Sequence, residues 1–210
     1  MKKAVLFDLD GTLWDSAVGV CKAWNDVLER KGMKPELTVE KIHGMMGKQM
    51  DVIAAILFPQ HTKEEQNALI NECAEEEDKV LARTGGTLFP QLEETLSALG
   101  EKYTLGIISN CQSGYIETFF AAHGLGKYFA DIECFGNNGC SKGENIALLV
   151  KRNGFDKAIY VGDTQGDYEG AVYAGLPFVH AAYGFGTAEE AEYSIKAIGE
   201  LPALADKLLG

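Results

Sequence analysis

The chain alternates between short, strongly apolar runs and longer segments in which apolar residues recur at helical spacing. The short runs are rich in β-branched residues, as buried strands of a parallel sheet are. Strands that alternate with helices are typical of a sheet covered by helices. The pattern therefore predicts an α/β fold with a Rossmann-like parallel sheet core flanked by helices. The clearest predicted strands are Ala4–Leu9, Thr104–Ser109, Ala158–Gly162 and Phe178–Ala181, with weaker candidates at Asp131–Phe135 and Tyr193–Ala197.

The segment 16–86 differs from the rest of the chain because it contains no convincing strand. Helical spacing predicts at least three helices there. The spacing is carried by Val20, Trp24, Val27 and Leu28, then by Ile53, Ile56 and Leu57, and again by apolar residues from Leu69 to Leu81. We interpret the charged run Glu75–Lys79 as the solvated face of the last helix.

The two ends of this segment predict a domain boundary. Gly85-Gly86 is interpreted as a hinge, and Pro90 as the opening turn of the next helix. We therefore predict an α/β core domain formed by residues 1–15 and 87–210, and an inserted all-helical cap domain formed by residues 16–86.

Composition narrows the possible partners. The chain has 210 residues, of which 46% are hydrophobic, which suffices for a packed core. Its net charge of −12 disfavours nucleic acid and anionic membranes, because phosphate groups are bound mainly by Lys and Arg. No apolar run approaches the roughly 18 residues that cross a bilayer, and the N-terminal segment turns acidic early, so we expect a cytoplasmic protein. The cysteines are expected to be reduced and buried; they are Cys21, Cys73, Cys111, Cys134 and Cys140.

Polar side chains follow the predicted strands at four places. In open α/β sheets, ligands bind at the carboxyl ends of the strands, so these places are expected to meet. They are Asp8 and Asp10 before the turn at Gly11, Ser109-Asn110 before a predicted helix, Lys142 just before another helix, and Asp163 and Asp167 in VGDTQGD.

The gathered carboxylates predict a metal site. Asp8, Asp163 and Asp167 at one sheet edge repel one another unless a hard cation neutralises them. Magnesium suits such a site, since it takes one or two carboxylates together with phosphate oxygens. With Lys142, it would supply the positive centre that an anionic substrate requires.

In this order, the four segments resemble the haloacid-dehalogenase superfamily, and most closely its phosphoglycolate phosphatase-like branch. The resemblance covers nearly the whole chain, with 16–86 in the place of that family's helical cap. It rests on DLDGT at Asp8–Thr12, Ser109-Asn110, Lys142, and GDTQGD at Gly162–Asp167. The chain departs from the pattern at Lys142-Gly143, where the cap-type phosphatases have Lys-Pro.

The resemblance implies a Mg²⁺-dependent phosphatase that acts on a small phosphorylated metabolite through an aspartyl-phosphate. Asp8 would be the nucleophile, and Asp10 the general acid and then base, with its backbone carbonyl at the metal. Ser109, Asn110 and Lys142 would bind phosphate. The implied metal ligands are Asp8, Asp10, Asp163 and Asp167, although Asp167 is equally explained as a charge that stabilises a helix N-terminus.

Two alternatives share part of this chemistry. A phosphomutase of the β-phosphoglucomutase type has the same core motifs, but carries a His on the first cap helix where this chain has Gly19–Lys22. A phospho-receiver signalling domain also phosphorylates an Asp beside a Lys, but it lacks an inserted cap. Both are therefore less favoured than hydrolysis.

The cap residues leave the substrate open. Gly44–Lys48 resembles the family's cap loop that faces the active site, so Lys48 is either a substrate contact or a solvated lysine. Trp14 either lines the pocket entrance or packs in the core beneath the cap. Cys111 has no evident role, and the sequence does not decide between a monomer and a homodimer.

Overall fold

The computed structural model describes residues 1–210, and the chain alternates strands and helices as predicted. The strands are β1 (Lys3–Phe7), β2 (Trp14–Asp15), β3 (Thr87–Leu88), β4 (Thr104–Ser109), β5 (Phe129–Cys134), β6 (Lys157–Gly162), β7 (Phe178–Ala181) and β8 (Tyr193–Ile195). The α-helices are α1 (Ala17–Arg30), α2 (Val39–His43), α3 (Met50–Leu57), α4 (Lys63–Thr84), α5 (Leu92–Gly100), α6 (Tyr115–His123), α7 (Phe135–Asn138), α8 (Lys142–Asn153), α9 (Gln165–Tyr173) and α10 (Leu201–Leu209). Short 3₁₀ helices cover Leu125–Tyr128 and Ile198–Glu200.

Six strands form one parallel sheet, in the order β5-β4-β1-β6-β7-β8. The central strand β1 pairs with β4 on one side and with β6 on the other. Successive residues of β1 face opposite layers: Val5 and Phe7 pack in one apolar cluster, and Ala4 and Leu6 in the other. The predicted α/β fold with a parallel, helix-covered sheet is confirmed. Strand β1 ends two residues earlier than predicted, so Asp8 begins the turn.

The segment between β2 and β3 contains only helices and loops. Helix α1 buries Val20, Trp24 and Val27, the residues whose spacing predicted it, and it packs along α4. Helix α4 also contacts α6 of the sheet layer, so the apolar cluster continues from the helical segment to the core. The division into a core and a cap domain stays a prediction, and the helical content of this segment agrees with it.

The sequence analysis missed the two short strands at the ends of this segment. Strand β2 pairs with β3 in an antiparallel ribbon, with Trp14 opposite Leu88 and Asp15 opposite Thr87. Two-residue strands carry no periodicity of their own, so no pattern could indicate them. The ribbon brings the entry and exit of the helical segment together.

Glycine at position 86 allows this ribbon to pack closely. A Cβ atom there would lie 2.7 Å from the Trp14 side chain and 2.8 Å from the Asp15 carbonyl oxygen. We expect Gly86→Ala to lower the free energy of unfolding by about 1–3 kcal/mol through overpacking, measured by urea denaturation. Gly100→Ala is the matched control, because no atom lies within 4 Å of its added Cβ. Equal stability of the two variants would contradict the expectation.

Candidate active site

The central position of β1 explains how distant residues meet. Asp8 follows β1, Ser109 ends β4, and Asp163 follows β6, so the carboxyl ends of three adjacent strands carry them. The Asp8 N–H donates to the Val161 carbonyl oxygen at 2.8 Å, which extends the ladder to the first residue of the turn. The side chains of Asp8 and Asp163 are both buried.

Lys142 is the only cation placed between these carboxylates. It is the first residue of α8, and its Nζ donates to Asp8 Oδ1 at 2.8 Å and to Asp167 Oδ1 at 2.5 Å. The start of α8 is fixed by a capping box between Ser141 and Glu144. Gly143 packs against Tyr173, where a Cβ would lie only 2.8 Å from that side chain. The side chain of Lys142 therefore has a defined direction, although glycine follows it.

Three carboxylates form a cluster at this edge. Asp8, Asp163 and Asp167 each offer an oxygen, and these oxygens lie within 4.8 Å of one another. Asp8 Oδ2 and Asp163 Oδ1 are buried without any hydrogen-bond partner. Buried polar atoms normally have partners, so this pair of unpartnered acceptors fits a hard cation.

Asp167 differs from the other two because its oxygens already have donors. Its Oδ2 accepts from the Thr164 N–H at 3.0 Å and from the Thr164 hydroxyl at 2.7 Å, while Oδ1 accepts from Lys142. It is the third residue of α9 and completes a capping box there. The Asp167 side chain thus both caps α9 and supports the site through Lys142.

Glycines enclose the Asp163 carboxylate. Its Oδ2 accepts from the N–H groups of Phe185 and Gly186, at 2.8 and 3.2 Å. An added Cβ at Gly11, where φ is 81°, or at Gly184 would lie 2.3 Å from an atom of this side chain. Only glycine at both positions leaves room for the carboxylate.

Burial dominates the protonation of the cluster. It raises the pKa of Asp8 above its usual value, with a further rise from Asp167 that Lys142 opposes. Burial, followed by the charge of Asp167, raises the pKa of Asp163 to about 7. Burial alone would lower the pKa of Lys142, but Asp167 and Asp8 raise it. Both carboxyl groups therefore bind a proton more readily than a solvated aspartate does.

Asp10 lies beside the cluster in a separate hydrogen-bond group. Its Oδ1 accepts from the Ser16 hydroxyl at 2.7 Å and from the Tyr115 hydroxyl at 2.9 Å. Burial raises the pKa of Asp10 to about 6, although these hydrogen bonds oppose the rise. Desolvation, and not a neighbouring carboxylate, is the cause of the raised pKa. The Asp10 side chain is not part of the three-carboxylate cluster.

Ser109 and Asn110 line a cavity that Asp8 and Asp10 also line. The Ser109 hydroxyl oxygen accepts from the Cys111 N–H at 3.3 Å. Asn110 Nδ2 donates to the Gly47 carbonyl oxygen at 2.7 Å, and its buried Oδ1 has no partner. The helix predicted after Ser109-Asn110 is α6, which begins at Tyr115.

The helical segment closes a cavity of about 50 Å³ over Asp8 and Asp10. Lys48 lines its edge, yet its side chain is exposed, so both interpretations of this residue stay open. Trp14 does not line the cavity; it is fully buried and packs against Tyr115 and Phe119, which favours the core interpretation. Cys111 lines the cavity without contacting a carboxylate.

The sequence analysis missed three residues of the cavity wall. Tyr115 was seen only as the start of a helix, and Trp24 only as an apolar position of α1. Glu77, interpreted as part of a solvated face, is 4% exposed and lines the cavity, so that interpretation is wrong for this residue. Its position four residues after Cys73 and three before Val80, both buried, was the available signal.

Removal of the Lys142 charge should destabilise the fold. Lys142→Met would leave Asp8 and Asp167 buried without a cation, and we expect the free energy of unfolding to fall by about 3 kcal/mol in urea. Lys151→Met, on an exposed position of the same helix, serves as the control. Equal unfolding midpoints for the two variants would contradict the ion-pair arrangement.

Comparison with known proteins places the chain in a family. The sequence profile of the haloacid dehalogenase-like hydrolases matches residues 5–181. The chain belongs to this family, so the predicted membership is confirmed and the chain is an enzyme.

Curated relatives and solved structures agree with this assignment. Phosphoglycolate phosphatase of Yersinia pseudotuberculosis is 29% identical over 196 residues, which cover 89% of this chain and 84% of the relative. Phosphoglycolate phosphatase of Escherichia coli is 28% identical over 218 residues, covering 91% and 86%. A haloacid dehalogenase-like hydrolase from Bacteroides fragilis superposes with a TM-score of 0.84 at 27% identity, covering 96% of this chain and 100% of the other. The recurrence of phosphatases supports the predicted phosphoric monoester hydrolase.

The helices of the protein differ from membrane spans. None combines the length and apolar character that a bilayer crossing requires.

Proposed function

We propose that this chain is a Mg²⁺-dependent phosphatase that hydrolyses a small phosphorylated metabolite through an aspartyl-phosphate on Asp8. The observation that carries the proposal is the pair of unpartnered buried oxygens, Asp8 Oδ2 and Asp163 Oδ1, beside the Lys142 ammonium group. The phosphoglycolate phosphatases among the relatives support a small phosphorylated substrate. We further propose that the protein acts in the cytoplasm as a monomer or homodimer.

Asp8 and Asp163 would hold the magnesium ion, with Asp167 supporting the site through Lys142 and the start of α9. The fit rests on the chemistry of the ligand atoms, since hard carboxylate oxygens that accept no hydrogen bond suit Mg²⁺. The ion, when bound, supplies positive charge that offsets the negative charge of the phosphoryl oxygens. Whether the Asp10 carbonyl oxygen is also a ligand stays a prediction.

In the first step, an Asp8 carboxylate oxygen attacks phosphorus, and the bond between phosphorus and the leaving oxygen breaks. Lys142 donates to the Asp8 carboxylate and would also donate to a phosphoryl oxygen bound beside it. Ser109 and Asn110, at the end of β4, would bind the remaining phosphoryl oxygens.

Asp10 would supply the proton that the leaving oxygen takes up. Ser16 and Tyr115 fix its carboxyl group, and burial raises its pKa to about 6, close to the range in which a side chain both gives and accepts protons. In the second step, Asp10 would take a proton from water as the water oxygen attacks phosphorus and releases Asp8. Free phosphate and the intact carboxylate are the products.

Phosphate release from a panel of substrates tests this function. With Mg²⁺, we expect the amount of inorganic phosphate released to equal the amount of ester consumed, whether the ester is phosphoglycolate, a hexose phosphate or an aryl phosphate. A phosphomutase would instead convert a hexose 1-phosphate into its 6-phosphate with little release. Phosphate release no faster than with an Asp8→Asn variant on every substrate would overturn the proposal.

A further inference from the structure

Glu77 is a buried carboxyl group in the wall of the proposed active site. It lies on α4, is 4% exposed, and lines the same cavity as Asp8, Asp10 and Ser109. Its Oε2 accepts from Trp24 Nε1 at 2.5 Å, and its Oε1 accepts from Gln112 Nε2 at 3.2 Å. Both donors are neutral.

No ion pair involves Glu77. Its neighbours on α4 have partners at the surface, since Glu76 pairs with Arg30 and Glu72 with Lys31. Lys48 lines the cavity, but its side chain is exposed to solvent. The charged form of an acidic group buried without a cation is costly, so a cation that reaches the group stabilises that form strongly.

Apart from Glu77 and Lys48, the helical segment contributes mainly apolar residues to the cavity wall. Val20, Ile42, Met45 and Ile53 line the cavity, and Trp24 adds an aromatic surface. The Tyr115 hydroxyl group is already bonded to Asp10 and Ser16, and the Ser109 hydroxyl group lies at the end of β4. On the side formed by the helical segment, a leaving group therefore finds one acid without a cationic partner, Glu77, and an aromatic ring that also favours cations.

We propose that Glu77 selects substrates whose alcohol portion carries a protonated amine, so that the preferred class is the phosphate monoester of a small amino alcohol. This inference rests on the proposed function and adds a specificity-determining residue to it. Burial raises the pKa of Glu77 to about 8, and a bound ammonium group opposes that rise by favouring the carboxylate. A substrate carboxylate in the same place would be repelled by Glu77 instead.

Three small esters test the selection. In 2-aminoethyl phosphate and n-propyl phosphate, the leaving groups have the same number of heavy atoms and differ by one charge; phosphoglycolate carries the opposite charge. We expect kcat/KM for 2-aminoethyl phosphate to exceed that for n-propyl phosphate by about 10- to 100-fold, the range for a hydrogen bond to a charged group. Phosphoglycolate is expected to be the poorest of the three.

Glu77→Gln assigns the preference to this residue. The amide keeps the shape and can still accept from Trp24, but it carries no charge, so the ratio of the two kcat/KM values should fall to about 1–3. Loss of fold or of catalysis lowers both values alike and leaves the ratio in place. Glu75→Gln, on an exposed position of the same helix, is the matched control and should keep the wild-type ratio.

Two results overturn the inference alone. They are a wild-type preference for n-propyl phosphate or phosphoglycolate, and an unchanged ratio in the folded Glu77→Gln protein. Failure of the proposed function is distinguishable, because p-nitrophenyl phosphate, which needs no amine, would then also remain unhydrolysed. That last result overturns both proposals together.

Discussion

Asp8→Asn is expected to lower the turnover of p-nitrophenyl phosphate by about 10⁴-fold or more, to the limit of detection. The amide that replaces the carboxylate is a poor nucleophile, and loss of a nucleophile removes most of the rate enhancement of a covalent mechanism. The measurement is nitrophenolate release under saturating Mg²⁺. Phosphoryl transfer to Asp8 also predicts that acid-quenched wild-type protein carries an acyl phosphate that the variant lacks.

The controls for this prediction address fold and general charge. Asp51→Asn changes an exposed carboxylate on α3 and should retain wild-type turnover. Circular dichroism and a thermal scan establish that the Asp8→Asn protein is folded. A folded Asp8→Asn protein with more than a tenth of wild-type turnover would rule out Asp8 as the nucleophile.

Removal of divalent metal is the second large effect that we expect. Treatment with EDTA should lower turnover by about 10³-fold or more, and excess Mg²⁺ should restore it, because the cation contributes several kcal/mol to the stabilisation of phosphoryl charge. A second readout does not depend on activity. Mg²⁺ should raise the thermal midpoint of the protein, since it neutralises Asp8 and Asp163 in the folded state only.

Two controls isolate the metal effect. EDTA that is already saturated with Mg²⁺ should leave turnover unchanged, which separates chelation from inhibition by EDTA itself. Asp163→Asn should increase the Mg²⁺ concentration needed for half-maximal turnover, because the unpartnered Oδ1 loses its charge. Full turnover in protein shown to be free of metal would contradict the proposed site.

The core of the fold and most of the candidate site could be predicted because their signals are local. An apolar run that ends in a polar residue marks both a strand and the edge where its side chain lies. Asp8, Ser109 and Asp163 follow this rule, and parallel strands then bring them together without further information. Lys142 was expected just before a helix and is its first residue, a difference within the uncertainty of any helix end.

The remaining residues could not be predicted because their roles depend on contacts between the helical segment and the sheet. The run Glu75–Lys79 has the composition of a solvated surface. Glu77 is buried among neutral donors because α4 packs against α1, which carries Trp24, and lies beside Gln112. Trp14 packs against Phe119 outside the cavity and Trp24 lines the cavity, a difference that tertiary contacts decide. The hydrogen bond between Asn110 and the Gly47 carbonyl oxygen likewise has no counterpart in local sequence.

The antiparallel ribbon of β2 and β3 has a consequence for how this chain can vary. Because Trp14 lies opposite Leu88, the polypeptide leaves the sheet layer and returns to it at a single place. Insertions, deletions or whole replacements between these two positions leave the register of the six parallel strands untouched. Recombination at this junction would therefore exchange the helical part of the cavity wall while the carboxylate cluster is inherited unchanged.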